Sequence, residues 1–188
     1  MAVIIAALGI SGSGKTTTLE YLISHLNNEN CRIGAIKHIH RENFTMDKEG
    51  TNTWRFSKAG SKITVAISPE EIAIIEKTSN SLNDLDKVIK FLENENLDII
   101  FIEGFKGEIS KRADIPKIIT AKTSEDLQKT IDNTVPPILA ITGLIAKTEQ
   151  PSSDIPYINL PDEGPKLLEI VRSHLKTGQN LGNFKKIR

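Results

Sequence analysis

The chain has 188 residues, and 24 Lys and Arg balance 24 Asp and Glu, so its formal net charge at pH 7 is zero. A neutral chain has no overall field to attract nucleic acid or an acidic membrane surface, and we expect neither as a partner. The length predicts one domain, residues 1–176, with a flexible C-terminal tail at 177–188. A single cysteine and the lack of a long apolar run favour a cytoplasmic protein.

Apolar runs and helical periodicities alternate along the chain. Residues 3–8 are continuously apolar, which predicts a buried strand, and the apolar spacing in 15–26 predicts a helix. Further strands are predicted at 31–36, 63–67, 72–75 (the hairpin partner of 63–67), 97–102, 117–120, 138–142 and 157–160. Further helices are predicted at 51–59, 82–92, 124–131 and 163–175. This order predicts an α/β fold with a doubly wound, mostly parallel sheet.

A glycine-rich segment, residues 9–16, matches the phosphate-binding pattern GxxxxGK[ST] between the first strand and the first helix. Its glycines let successive N–H groups turn toward one anion at the start of a helix. Lys15 can then reach the β- and γ-phosphates, and the Thr16 hydroxyl can ligate Mg²⁺. The segment therefore predicts a P-loop NTPase fold, with a binding set of Gly9, Ser11, Gly12, Ser13, Gly14, Lys15, Thr16 and Thr17.

Two acids are candidates for the metal or for positioning water. Glu103 follows the apolar run 99–102, at the strand end where P-loop proteins place a second acid. Asp47 lies in the long polar loop 37–50, where nucleotide switches often place an acid that senses Mg²⁺. We predict Lys15, Glu103 and Asp47 as the catalytic set, and Thr16 with both acids as metal ligands. The alternatives are an ordinary strand-end acid at 103 and a solvated loop Asp at 47.

Histidines and cations near these elements extend the predicted pocket. His38 and His40 are two residues apart, so in an extended chain both side chains point the same way and could hold a metal or an oxyanion. Lys37, Arg55 and Lys106 add positive charge. The alternative for the histidines is a polar loop mouth, and for the cations a solvated face, the usual place of Lys and Arg.

Five ordered motifs together resemble a known family. They are GISGSGKTT (9–17), IKHIH (36–40), Asp47 followed by Gly50, Trp54-Arg55 with Ala59-Gly60, and IEGFK (102–106). This set is similar to the molybdopterin-guanine dinucleotide biosynthesis protein B (MobB) family, over about residues 1–145. Pro116-Lys117-Ile118 is similar to a further family motif, whereas Arg41 stands where family members often have another histidine.

The resemblance implies a homodimeric GTP-binding protein with weak GTPase activity. Such a protein acts beside a guanylyltransferase that converts Mg-molybdopterin into the guanine dinucleotide cofactor. On that basis Lys15 and Thr16 serve GTP and Mg²⁺, and Glu103 is the acid of the second motif. The residues expected to face the partner or the pterin phosphate are Lys37, His38, His40, Asp47 and Lys106. Whether molybdopterin is bound directly or through the partner stays open.

Two other classes share the phosphate loop. A P-loop small-molecule kinase is suggested by the lysines and arginines near the predicted pocket, and residues 110–113 are a thin candidate for its lid. A metallochaperone GTPase is suggested by His38, His40 and Asp47, although such proteins usually need clustered cysteines. Guanine or adenine preference is also open, because residues 143–147 follow the strand 138–142 without a base-reading Asp.

Overall fold

The computed structural model describes residues 2–41, 44–77, 85–148 and 154–185, with the backbone alone described from 178 onward. The chain forms two compact units. The first contains the described residues up to His38 and from Ile89 onward, and the second contains those from Ile39 to Val88. The sequence pattern did not indicate this division.

The strands carry the labels β1 to β7 and the helices α1 to α7 in chain order. The strands are β1 Val3–Leu8, β2 Ile33–Lys37, β3 Ile63–Ile67, β4 Ile72–Glu76, β5 Ile99–Glu103, β6 Lys117–Thr120 and β7 Ile138–Thr142. The helices are α1 Lys15–Asn28, α2 Asn52–Lys58, α3 Leu85–Glu93, α4 Lys106–Ile109, α5 Ser124–Ile131, α6 Ile145–Thr148 and α7 Gly164–Lys185. No helix within the described ranges is long and apolar enough to cross a membrane.

The first unit is built on a five-stranded sheet in the order β2-β5-β1-β6-β7, and each neighbouring pair is parallel. Neighbouring residues of β6 serve opposite faces, because Ile118 packs in one apolar cluster and Ile119 in another. The first cluster includes apolar residues of α1 and α7, and the second includes Leu127 of α5. Helices therefore cover both faces, which confirms the predicted doubly wound α/β fold.

The second unit contains α2 and an antiparallel hairpin of β3 and β4, as predicted. Thr51 caps α2 by accepting a hydrogen bond from the Trp54 amide at 3.3 Å. One face of the hairpin holds the buried Thr64, which hydrogen-bonds Ser57 of α2 at 3.4 Å. The other face, which we call the hairpin face, presents five apolar side chains that are each more than half exposed: Ile63, Val65, Ile67, Ile72 and Ile74. Glu76, opposite Ile63, lies at the end of this face and pairs with Lys87.

Two predicted elements differ from those in the structure. The strand predicted at 157–160 is wrong, because only Tyr157 forms a bridge, with Ile141 of β7. Pro156 and Pro161 flank this segment and lack the N–H groups that a longer ladder needs. Helix α7 continues past the predicted end at 175 to Lys185, whereas residues 186–188 and the first three residues of the helix predicted at 82–92 lie outside the described ranges.

Lys117, from the motif Pro116-Lys117-Ile118, has a structural role in the fold. It lies at the start of β6, the opposite end of the strand from Thr120, and its side chain is fully buried. The ammonium donates hydrogen bonds to the carbonyls of Arg112 and Val135. Burial lowers the pKa of Lys117. The lysine therefore joins the turns at 112 and 135.

Candidate functional site

The phosphate loop lies so close to the end of β6 that position 9 has no space for a side chain. A Cβ added to Gly9 would meet the Thr120 carbonyl oxygen at 2.2 Å. The buried Ser13 hydroxyl donates to the Ile10 carbonyl at 2.8 Å and shares a 2.6 Å hydrogen bond with the Thr120 hydroxyl. Ser13 therefore holds the loop's shape, while the side chains of Ser11, Thr16 and Thr17 are exposed. The Ser13 amide also donates to the Ile10 carbonyl, at 3.3 Å.

The Lys15 ammonium is bound to the loop itself. It donates to the carbonyl oxygens of Gly9 at 3.0 Å and Ile10 at 2.6 Å. Gly14, with a φ of +106°, precedes α1 in a left-handed conformation that glycine adopts without strain. The ammonium and the positive end of a 14-residue helix thus belong to one loop, which is the arrangement that binds phosphate.

Glu103 ends β5 beside the loop, as predicted. Its register partner in β1 is Ala7, and the carboxylate is only 7% exposed. The Thr16 hydroxyl donates to Glu103 Oε2 at 3.0 Å, and the Lys37 ammonium forms an ion pair with Glu103 Oε1. A hydroxyl and a carboxylate are hard oxygen donors of the kind that Mg²⁺ selects. The structure therefore brings together three predicted site residues, Thr16, Lys37 and Glu103.

Lysines surround Lys15. Burial lowers the pKa of Lys15, Glu103 opposes that shift, and the charges of Lys37, Lys106 and Lys122 add to it. So many like charges near one loop favour an anion there. Lys122 was missed from the sequence, yet its Nζ lies 3.1 Å from where a Cβ of Gly12 would be. Lys122 follows β6, the parallel neighbour of β1, and residues at the carboxyl ends of neighbouring parallel strands lie near the same ligand site. That position could have indicated Lys122 from the sequence.

The segment after Glu103 supports His38. Gly104 has a φ of +105°, and a Cβ there would meet the His38 Cβ at 2.6 Å. The His38 amide donates to the Glu103 carbonyl at 2.8 Å, and its ring stacks on Phe105 with centroids 4.2 Å apart. Lys106 begins α4 and donates to the Thr130 hydroxyl at 3.2 Å. Residues 36–38 and 102–105 therefore meet through backbone and ring contacts.

The remaining predicted site residues, His40, Asp47 and Arg55, belong to the second unit. Asp47 is 9% exposed, and its Oδ1 accepts hydrogen bonds from the hydroxyls of Thr51 at 3.0 Å and Thr53 at 2.8 Å. Its Oδ2 is buried and has no hydrogen-bond partner within the described residues. Asp47 is therefore not the solvated loop residue of the alternative interpretation, and its role in metal binding stays a prediction.

The described part of the chain contains no cluster of three or more His, Cys, Asp or Glu suited to a metal ion. The histidine motif therefore receives no support as a metal site from its surroundings among those residues.

The parallel sheet and its glycine loop between β1 and α1 define a protein of the P-loop NTPase fold class. The model of one family, molybdopterin guanine dinucleotide synthesis protein B, matches residues 4–143. The chain belongs to this family, MobB.

Relatives agree with this assignment. A putative molybdopterin-guanine dinucleotide biosynthesis adapter protein of Methanocaldococcus jannaschii is 36% identical over 131 residues, covering 70% of this chain and 52% of that protein. The corresponding adapter protein of Haemophilus influenzae is 40% identical over 111 residues, covering 59% and 58%. The match thus spans little more than half the length of either relative. The crystal structure of Bacillus subtilis MobB has a TM-score of 0.73 at 24% identity, covering 92% of this chain and 97% of that one, and it supports the fold.

Gly9→Ala should disrupt the loop, because its Cβ has no room beside Thr120. We expect a loss of about 1–3 kcal/mol in the free energy of unfolding, measured by urea denaturation, and at least about tenfold weaker triphosphate binding. Gly107→Ala is the matched control, since a Cβ at 107 meets nothing within 4 Å. Equal behaviour of the two variants would contradict this description of the loop.

Proposed function

We propose that this protein binds GTP with Mg²⁺ and acts as an accessory protein in forming molybdopterin guanine dinucleotide during molybdenum cofactor maturation. The observation that carries the proposal is one loop that joins the Lys15 ammonium, the amides ahead of α1 and the Thr16–Glu103 pair. Family membership supplies the pathway, because its relatives are named adapter proteins of that biosynthesis.

The loop fits a triphosphate by charge and by space. Its amides and Lys15 would hold the β- and γ-phosphates, and the neighbouring lysines would add attraction. Thr16 and Glu103 would hold Mg²⁺, which neutralises developing charge on the phosphates. The buried Oδ2 of Asp47, which has no hydrogen-bond partner among the described residues, supports a ligand at that residue in the second unit.

We propose that binding matters more than turnover. Within the described residues, the positive side chains that act on Lys15 are lysines. Fast GTPases gain about 10³–10⁵ in rate from an arginine finger at the phosphates. Hydrolysis here should therefore be weak, with GTP serving the partner reaction in the cytoplasm.

The partner we propose is the molybdenum cofactor guanylyltransferase. Lys37, His38 and Lys106 lie around Glu103 in the first unit and are the residues we expect to face it. The positive charge of the two lysines suits a pterin phosphate, which would be bound either directly or through the partner.

Calorimetric titration with GTP and ATP, each with and without Mg²⁺, tests the nucleotide site. We expect GTP to bind preferentially and to bind about tenfold more weakly in EDTA, since the metal screens the phosphates. Glu103→Gln should reduce the Mg²⁺ dependence, whereas Glu108→Gln, a half-buried acid of α4, should not. A clear preference for ATP, or no binding of either nucleotide, would contradict the proposal.

Lys106→Ala tests the accessory role separately from nucleotide binding. We expect the GTP affinity of this variant to stay within about twofold of the wild type. Lys106 is half-exposed, and a single charge of that kind contributes little to binding. Formation of the guanine dinucleotide with the transferase should fall, measured by chromatography of the released cofactor. Lys111→Ala, an exposed lysine after the same helix, is the control. Unchanged cofactor formation with Lys106→Ala would remove that residue from the partner surface.

We propose a homodimer formed through the hairpin face. Its five side chains are 51–77% exposed, and a two-stranded hairpin with such a face is marginal alone in water. The five aliphatic residues are suited to a second identical face, which a two-fold axis supplies, while Glu76 at the end of the face is already paired with Lys87. The family resemblance also implies a homodimer, so the partner that we propose for this face is a second copy of the chain.

Val65→Lys should therefore give a monomer, because the dimer would have to bury an ammonium among aliphatic side chains. Light scattering coupled to size-exclusion chromatography measures this, with the wild type expected as a dimer. Glu70→Lys, on the turn between β3 and β4, makes a charge change outside the face and should stay dimeric. A dimeric Val65→Lys protein would place the interface elsewhere.

A further inference from the structure

A cavity of about 260 Å³ adjoins the phosphate loop on the side of β7. Its lining includes Gly14, Thr17, Gly143, Leu144, Lys147 and Leu160. Drug-sized ligands occupy pockets of about 300–1,000 Å³, so this cavity suits a single nucleoside better than a dinucleotide. The cavity starts at the loop that would hold the phosphates. Its lining also includes Lys147 of α6 and Leu160.

The wall at β7 lies directly against the loop. Gly143 has a φ of +94°, and a Cβ there would meet the carbonyl oxygens of Ser13 and Ala121, each at 2.5 Å. The buried hydroxyls of Thr18 in α1 and Thr142 in β7 share a hydrogen bond of 2.9 Å. These contacts hold the segment 143–147 at a set position relative to the loop, so a ligand bound at one necessarily lies beside the other.

The lining has an unusual chemistry for a nucleoside site. Leu144 and Leu160 provide apolar surface on which a flat base can pack. Lys147 is the one ionisable residue among the described residues of the lining, and its ammonium donates hydrogen bonds but accepts none. Among the described residues of this lining there is no carboxylate, the group that would accept bonds from the N1–H and 2-amino groups of guanine.

We propose that the cavity holds the nucleoside of the bound triphosphate and that Lys147 recognises guanine through O6 and N7. Guanine presents two acceptors at this edge, whereas adenine presents one acceptor and an amino donor that repels the ammonium. Lys147 is then a specificity-determining residue that reads the O6 and N7 edge of the base. The inference rests on the proposed triphosphate at the loop.

Inosine triphosphate separates recognition at O6 from recognition by an acid. It keeps O6 and N7 but lacks the 2-amino group, so Lys147 should bind it as tightly as GTP. We therefore expect wild-type protein to bind GTP and ITP with similar affinity, and both about tenfold more tightly than ATP. Titration calorimetry at constant Mg²⁺ measures the three affinities.

Lys147→Met should bring GTP, ITP and ATP to similar affinities, whereas Lys147→Arg should keep the guanine preference, because arginine donates to the same two atoms. Lys176→Met, an exposed lysine of α7 outside the lining, should leave all three affinities unchanged. A GTP preference over ITP in the wild type, or one over ATP that survives in Lys147→Met, would overturn the inference while leaving triphosphate binding intact. Failure of all three nucleotides to bind would instead refute the proposed function.

Discussion

The contact between the phosphate loop and the ends of β6 and β7 is the constraint on which the rest of the first unit depends. Gly9 lies where a side chain would overlap Thr120, and Gly143 lies where one would overlap Ser13. Hydrogen bonds from Ser13 to Thr120 and from Thr18 to Thr142 join the same segments. Because these contacts fix the position of the loop against both strand ends, its amides need little reorganisation to bind an anion.

Charge is organised around Glu103. This nearly buried carboxylate accepts a hydrogen bond from Thr16 and pairs with Lys37, while further lysines lie close enough to influence Lys15. A single acid among several lysines leaves a net positive surface, which attracts phosphates, and keeps one hard oxygen ligand for a metal. The same carboxylate therefore links the phosphate loop, β2 and the proposed partner surface.

The two units divide the proposed tasks. The first contains the phosphate loop, the Glu103 network and the cavity beside β7. The second contains the exposed hairpin face and the buried carboxylate of Asp47. Association of two copies and occupation of the nucleotide site can thus be altered by substitutions in different units, which lets the experiments separate them.

The sequence by itself determined the elements whose signals are local. Val3–Leu8, the helix after Lys15 and the hairpin were predicted closely, because continuous apolar runs, helical spacing and turn residues report short-range preferences. The phosphate loop and Glu103 followed from spacing and from strand ends. Only the tertiary structure decided the roles of side chains that contact distant segments, because the spacing of residues along the sequence does not show which segments meet.

Three outcomes show what only those contacts could decide. Lys122 approaches Gly12 across about 110 residues of chain, and Lys147 lines a cavity that exists only because Gly143 lies against the loop. Lys117, a lysine in a strand, could not be identified as buried until the carbonyls of Arg112 and Val135 were seen around it. Side chains take such roles from the packing of strands and turns, and that packing is a property of the folded chain.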